Sequence, residues 1–335
     1  MNSDDPALQD LLARIIDGLT GKVLGNAGVL APVFLISALA IAAAIWWRRK
    51  PGQGFFRWAF PREIWFHPSH RTDIKVFLFG GLLSLVATGA GIVSAAKIGA
   101  ALSSALDARI GLGPETPLLT SPVMVTVVVF LVLDFCQYWA HRLSHDWAVL
   151  WPFHATHHSA EVLTPITVYR RHPVDDLVLQ VVTWIVTGVV LGLVLGLSIG
   201  PVPTAMLGGL SGTYYVFNLA GANLRHSHVW LSFGPVLEHI IISPAQHQVH
   251  HSCDPRHHNR NYGQILAIWD WMFGTLCVPR GREDLTFGLS DGQGNPVPQP
   301  HGSLGRFLVE PFRGSARVVR RWLGRRKDPS GQEQE

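Results

Sequence analysis

Charge and cysteine are what this sequence has least of. Only 15% of its 335 residues are Asp, Glu, Lys or Arg, whereas 48% are hydrophobic, and mean hydropathy is +0.23. So little charge argues against an ordinary soluble globule and for a membrane protein. The three cysteines, Cys136, Cys253 and Cys277, form no CxxC pair, which excludes a disulfide framework and a thiolate metal site and leaves them as small buried hydrophobes. There is no HExxH, and neither Glu161 nor Glu238 has a comparable placement, so a zinc hydrolase with a glutamate base finds no support. A built-in flavin, haem or iron–sulfur module is excluded by the lack of a GxGxxG after a strand, of CxxCH and of ferredoxin cysteine spacing. Polar ligands near a bilayer midplane are scarce, Asp134 apart, which weakens the alternative of a non-enzymatic metal transporter or metal-binding protein. No nucleic-acid partner is expected.

Long apolar runs are plentiful. Stretches of roughly 20 residues, the length that spans a bilayer, occur at 29–47, 74–96, 119–139, 177–199 and 204–224, the last two joined by a Gly-Pro-containing turn at 200–203. In the fourth run, Gly188, Gly192 and Gly196 recur every four residues, either as a groove for close helix packing or as the ordinary glycine content of membrane helices. With the N-terminus outside, the outer segments hold Arg14, Lys22, Lys97 and Arg109, which leaves 23 of the 27 Lys and Arg on or near the inner side; the positive-inside rule favours that orientation. The acidic N-terminal stretch does not read as a signal peptide. Asp5 as N-cap, Pro6 and the face Leu8, Leu11, Leu12, Ile15, Ile16 and Leu19 predict an amphipathic helix on the outer surface or against a partner subunit. At the other end, 307–323 interleaves apolar residues with Arg313, Arg317, Arg320 and Arg321. This predicts a basic helix, interfacial or solvated, followed by a disordered polar tail. The expected fold is all-α: a multi-pass membrane bundle with a histidine-rich helical cap on the cytoplasmic side. Its divisions are an amphipathic segment (1–28), N-terminal spans and loops (29–118), a catalytic domain (119–280), and a basic helix with its tail (281–335).

Histidine is the anomaly, with 14 of 17 lying between His141 and His258. His141 and His145 stand four apart where the third run leaves the bilayer, on one helical face. WPFHATHHSAE supplies His154, His157 and His158 at i, i+3 and i+4, and SPAQHQVHHS repeats that spacing with His247, His250 and His251. On a helix two members of such a box reach one ion and the third its neighbour. The five-run topology puts all three boxes on the inner side, although a membrane hairpin separates the second from the third. Neutral imidazoles suit iron, copper, zinc and nickel. Eight are too many for one ion, and the scarcity of carboxylates distinguishes the set from soluble carboxylate-bridged di-iron bundles. Two ions about 3 to 6 Å apart are expected.

From Asp134 to Thr275 the chain resembles the fatty acid hydroxylase superfamily of sterol desaturases, sterol methyl oxidases and sphingolipid hydroxylases. The resemblance rests on HRLSH, HATHH and HQVHH, on YRRHP at 169–173, on the HSH beginning at His226, and on NYGQILAIWDWMFGT at 261–275. It implies a non-haem di-iron centre, O2 as oxidant, and a lipid substrate hydroxylated or desaturated at an unactivated C–H bond. Zinc is expected as a stand-in after overproduction. O2 activation needs two electrons, and with no redox module in the chain a separate electron-donor protein is expected. Arg256, Arg260, Arg280, Arg282 and the arginines from Arg313 to Arg326 offer it a basic surface, or the last group offers anionic lipids one.

The remaining candidates have weaker reasons. His226 is expected as a ninth ligand. His228, where many relatives carry Asn, would point elsewhere on a helix. His172, before Pro173, is open to either a ligand or a supporting role. Asp134, two turns below His141 on nearly the same face, is expected to accept a ligand's imidazole N–H or a bond from another helix. His239 reads as an interior residue, and His257 and His258 as part of a solvated loop. Asp270 is expected to fix the fold of the cap.

Overall fold

The computed structural model describes residues 28–88, 95–110, 121–197 and 204–327. The amphipathic N-terminal segment, the turn at 200–203 and the tail from 328 lie outside them. Among the described residues the regular structure is helical, with isolated β-bridges only. The elements that position the site are α1 (Pro32–Arg49), α2 (Pro68–Thr88), α3 (Ala95–Ile110), α4 (Pro122–Asp146), α5 (Trp151–His158), α6 (Pro173–Leu197), α7 (Thr204–Leu219), α8 (Pro244–His250) and α9 (Leu304–Lys327).

Their starts follow from local chemistry. In α4 the Ser121 side chain accepts from the Met124 N–H and Pro122 fills the first turn, where a missing N–H costs nothing. A full capping box opens α8: Ser243 and Gln246 bond reciprocally around Pro244. Asp175 and Asp176 occupy the first turn of α6, where the helix dipole favours negative charge.

Three described helices are long and apolar enough to cross a membrane: Pro32–Arg49, Val123–Asp146 and Pro173–Val190. The other two expected runs overlap α2 and α7. At 16 residues, α7 is about 24 Å long, short of a hydrocarbon core of about 30 Å. The sequence reading also missed α3, having treated its residues, Lys97 and Arg109 included, as the end of a span and an outer loop. Instead α3 is a helix packed along α6.

That packing uses one of the spaced glycines. A Cβ at Gly192 would lie 2.7 Å from the Leu102 Cβ and 2.9 Å from the Gly99 carbonyl oxygen, so the α6 backbone meets the Leu102 side chain and the Gly99 backbone with no room for a side chain of its own. Gly192→Val is therefore expected to cost about 1 to 3 kcal/mol, read as a lower unfolding temperature in detergent; an unchanged transition would contradict this contact.

The cap forms at one end of the bundle, where α4 ends and α5 and α8 are laid across it. Asp270 organises part of it, accepting from the Tyr262 and Gly263 backbone N–H groups at 2.8 and 2.7 Å and from the Thr275 hydroxyl at 2.7 Å. Under the other flank, Ala38 and Ala42 of α1 pack with Leu224 and Val229.

Candidate metal centre

Each candidate ligand comes from an element whose spacing aims it inward. His141 and His145 lie one turn apart near the end of α4. The last six residues of α5, Phe153 to His158, are all buried, as is α8 throughout. His226 ends a short 3₁₀ turn, Ala222–His226.

These elements bring nine histidines into two adjoining groups. His141, His145, His154, His158 and His250 form one; His157, His226, His247 and His251 form the other. Within each group one ligand atom per residue lies within 4.8 Å of all the others. Each HxxHH box is divided between them: the i, i+4 pair His154 and His158 joins the first group and His157 the second, while His247 and His251 join the second and His250 the first.

In the second group the Nε2 atoms crowd around that of His226. His226 Nε2 lies 3.3 Å from that of His157, 3.2 Å from that of His251 and 3.0 Å from that of His247, and the His247 and His251 atoms are 3.2 Å apart. Metal–imidazole bonds of about 2.0 to 2.1 Å in a tetrahedron require N···N edges of about 3.3 Å, so these four separations suit ligands of a single ion.

In the first group the opposite ring nitrogens are the ones engaged. His141 Nδ1 pairs with the Tyr262 carbonyl at 2.9 Å, His250 Nδ1 with the Arg260 carbonyl at 2.7 Å, and His154 Nδ1 with Asp175 at 3.2 Å. Carbonyl and carboxylate partners require Nδ1–H, which leaves Nε2 with its lone pair. The buried Nε2 atoms of His145, His154, His158 and His250 have no protein partner. Orphaned buried acceptors converging on one point are costly unless something binds them. Burial and the neighbouring imidazoles push His157, His158, His226, His247 and His251 well below the usual histidine range; burial brings His250 to about 3. These six imidazoles are thereby held neutral, as metal ligation demands.

Three proposed supports stand elsewhere. Asp134 accepts from the Ile265 and Leu266 N–H groups, each at 3.1 Å, and from the Trp269 indole at 2.9 Å. It clamps the 261–275 segment to α4 and bonds no imidazole, because that segment's backbone is the nearer partner. His172 bonds the Leu308 carbonyl through Nε2 and accepts from the Val174 N–H through Nδ1, so both nitrogens are used in tying α6 to α9. His228 follows an extended Ser227, which turns it away from His226 to the Trp58 carbonyl at 2.8 Å. His257, expected in a solvated loop, is instead buried and paired with Glu283 at 3.3 Å. The carboxylate on a ligand imidazole is Asp175, which sequence reasoning missed. It also accepts from Ser144 at 3.1 Å and Arg171 at 2.9 Å, and its only signal was its position in RHPVDD after the second box.

A cavity of about 400 Å³ runs from Val29, Phe130 and Leu133 up to Arg225 and His226. A second of about 90 Å³ continues to His141, His154, His157 and His247, and Gln137, Arg171, Leu179, Arg225, His226 and Gln264 line both. Along α4 the combined lining reaches from Phe130 to Ser144, about 21 Å at 1.5 Å per residue.

Residues 126–275 match the model of the fatty acid hydroxylase family. Among curated proteins the chain is similar to human alkylglycerol monooxygenase, 35% identical over 48% of this chain and 32% of that protein. It is also similar to the ornithine lipid hydroxylase OlsE of Rhizobium tropici, 32% identical over 50% of this chain and 47% of the relative. A Delta(7)-sterol 5(6)-desaturase of Aspergillus fumigatus is 28% identical over 54% and 60% of the two chains. The chain thus spans about a third to a half of the length of the first relatives it matches. No solved structure matches it significantly.

Proposed function

We propose, from the match of residues 126–275 to the fatty acid hydroxylase family model, that this chain is a membrane-bound non-haem di-iron oxygenase that hydroxylates or desaturates a lipid at an unactivated C–H bond. The observation that carries the proposal is the pair of histidine cages opening onto a cavity with an apolar lower wall. The relatives' names as lipid hydroxylases, monooxygenases and desaturases support it. Two iron ions, reduced and held by the nine histidines, would supply the O2-activating, hydrogen-abstracting chemistry.

The chain's own contributions are positional. Asp175 fixes the His154 tautomer and ring plane, the Tyr262 and Arg260 carbonyls do so for His141 and His250, and the buried cap keeps water from the cages. The lipid tail lies along Phe130, Leu133, Leu179, Phe217 and Ile265. The positive-inside rule, applied to the expected topology, favours a cytoplasmic face for the cap. Total lipid extracts of cells with and without the gene test the proposal: one lipid should gain an oxygen or lose two hydrogens only when the gene is present, and identical extracts would count against it.

A separate electron donor is part of the proposal. Arg256 is held by Asp254 at 2.6 Å, which reduces its pull on an acidic carrier, so the half-buried Arg260 and the exposed Arg280 and Arg282 form the docking surface. Purified protein is expected to turn over with a reduced small acidic carrier and not with NAD(P)H alone. The rate should fall at least about threefold as salt rises past 0.1 M, where exposed charges are screened beyond about 10 Å. Turnover on NAD(P)H alone would refute the need for a donor, and a rate indifferent to salt would refute the docking surface.

A further inference from the structure

Three arginines of the cap region have largely or wholly buried side chains, and carboxylates account for two of them. Arg170 pairs with Asp73 at 2.7 Å, both side chains being fully buried. Arg171 pairs with Asp175 at 2.9 Å and with Asp176 at 2.8 Å. Arg225 is the exception. Only 8% exposed, it gives one Nη2 hydrogen bond to the Gln264 carbonyl at 3.1 Å and lies over the Phe217 ring at 5.0 Å. Among the described residues no carboxylate forms a salt bridge with it. Asp134 lines the same cavity, but its oxygens are taken by two backbone N–H groups and an indole.

A guanidinium carries five N–H donors and keeps its charge in a protein. Asp134 attracts that of Arg225 without forming a salt bridge, and a buried guanidinium with no direct ion pair costs more to bury than an apolar side chain of its size, unless a ligand completes it. Arg225 lines both chambers of the cavity, beside His226. Phe130 and Leu133 line the larger chamber only, Leu179 lines both, and the polar Gln137, Asn218 and Gln264 share the wall with Arg225. The cavity thus has an acyl end and a cationic end, and the cationic end is the one next to the histidines.

We infer that the substrate is a lipid with an anionic headgroup, a carboxylate or phosphate bound by Arg225, and that the carbon to be oxidised lies near that headgroup rather than at the far end of the tail. The inference rests on the lipid-oxygenase reading and specifies its substrate class. An anionic oxygen pair meets the guanidinium fork with two parallel hydrogen bonds, which a neutral hydroxyl does not reproduce.

Binding to the full-length protein, purified in detergent and kept anaerobic and unreduced, tests this without turnover. The probes are oleate against oleyl alcohol, lysophosphatidate against the matching monoacylglycerol, and acetate and inorganic phosphate as free anions. Each anionic lipid is expected to bind at least about tenfold more tightly than its neutral partner, the lower range for a charged hydrogen bond. Arg225→Gln should abolish that preference, with neutral lipids bound as before, and Arg225→Lys should restore part of it. Equal binding of charged and neutral lipids to the wild-type protein overturns the inference even if the variants do not fold. So does a preference that survives Arg225→Gln, or free phosphate or acetate binding as tightly as the lipids. Absence of oxygenated product in the lipid extracts would instead refute the oxygenase reading, so the two failures are distinguishable.

Discussion

Replacing His157 or His250 by alanine is expected to abolish oxygen-dependent lipid oxidation, a loss of more than about 100-fold, since even partners behind the ligands are worth about 10- to 100-fold in affinity or activity. The two substitutions should differ in metal content. His157 belongs to a group of four, whose Nε2 atoms lie 3.0 to 3.3 Å apart along the measured edges, so its loss leaves three imidazoles. His250 belongs to a group of five, and its loss still leaves four. Elemental analysis after full loading should therefore show His157→Ala falling toward one ion per chain and His250→Ala staying near two. The helices should remain packed in both, because contacts such as that of Gly192 with α3 do not depend on metal. One ion per loaded wild-type chain, or full activity with fewer than two, would overturn the assignment of both cages.

The grouping of the histidine boxes was legible because their spacing is a local property: i, i+3 and i+4 share a helical face whatever the rest of the chain does. What supports the ligands was less legible, because it depends on which distant backbone comes nearest. Asp134 has the right face and depth to reach His141, yet the N–H groups of Ile265 and Leu266, more than 130 positions away, take its oxygens. Asp175 looked like a helix-dipole residue and is that as well, but its contact with His154 depends on how α5 lies over α6. His226 and His228 differ for a reason of backbone geometry: the extended Ser227 between them sends the two rings apart. In the membrane region the sequence showed where apolar residues concentrate, not where helices break, so α3 was read as the end of a span and a loop.

The YRRHP motif illustrates the same limit, since its first arginine has a partner 97 positions earlier. Arg170 donates to Asp73 at 2.7 Å, to the Thr156 carbonyl of α5 at 2.8 Å and to the Ser159 hydroxyl at 3.0 Å. Asp73 also accepts from Thr167 at 2.7 Å. Through these bonds α2 and the 3₁₀ turn Pro165–Tyr169 hold the α5 end that carries His157 and His158. Arg170→Met is expected to cost about 3 to 5 kcal/mol, because it leaves the Asp73 charge buried and unpaired. Replacing Asp73 by leucine as well should recover part of that loss, since an apolar pair of similar volume is often no worse than a buried ion pair. Recovery should be incomplete, because the Thr156 carbonyl and Thr167 hydroxyl lose partners that no apolar side chain replaces. Unfolding of each variant in detergent measures the stability, and metal content measures the hold on α5. A single Arg170→Met variant within about 1 kcal/mol of wild type, below the usual cost of an unpaired buried charge, would show that this network does not hold the histidine helix in place.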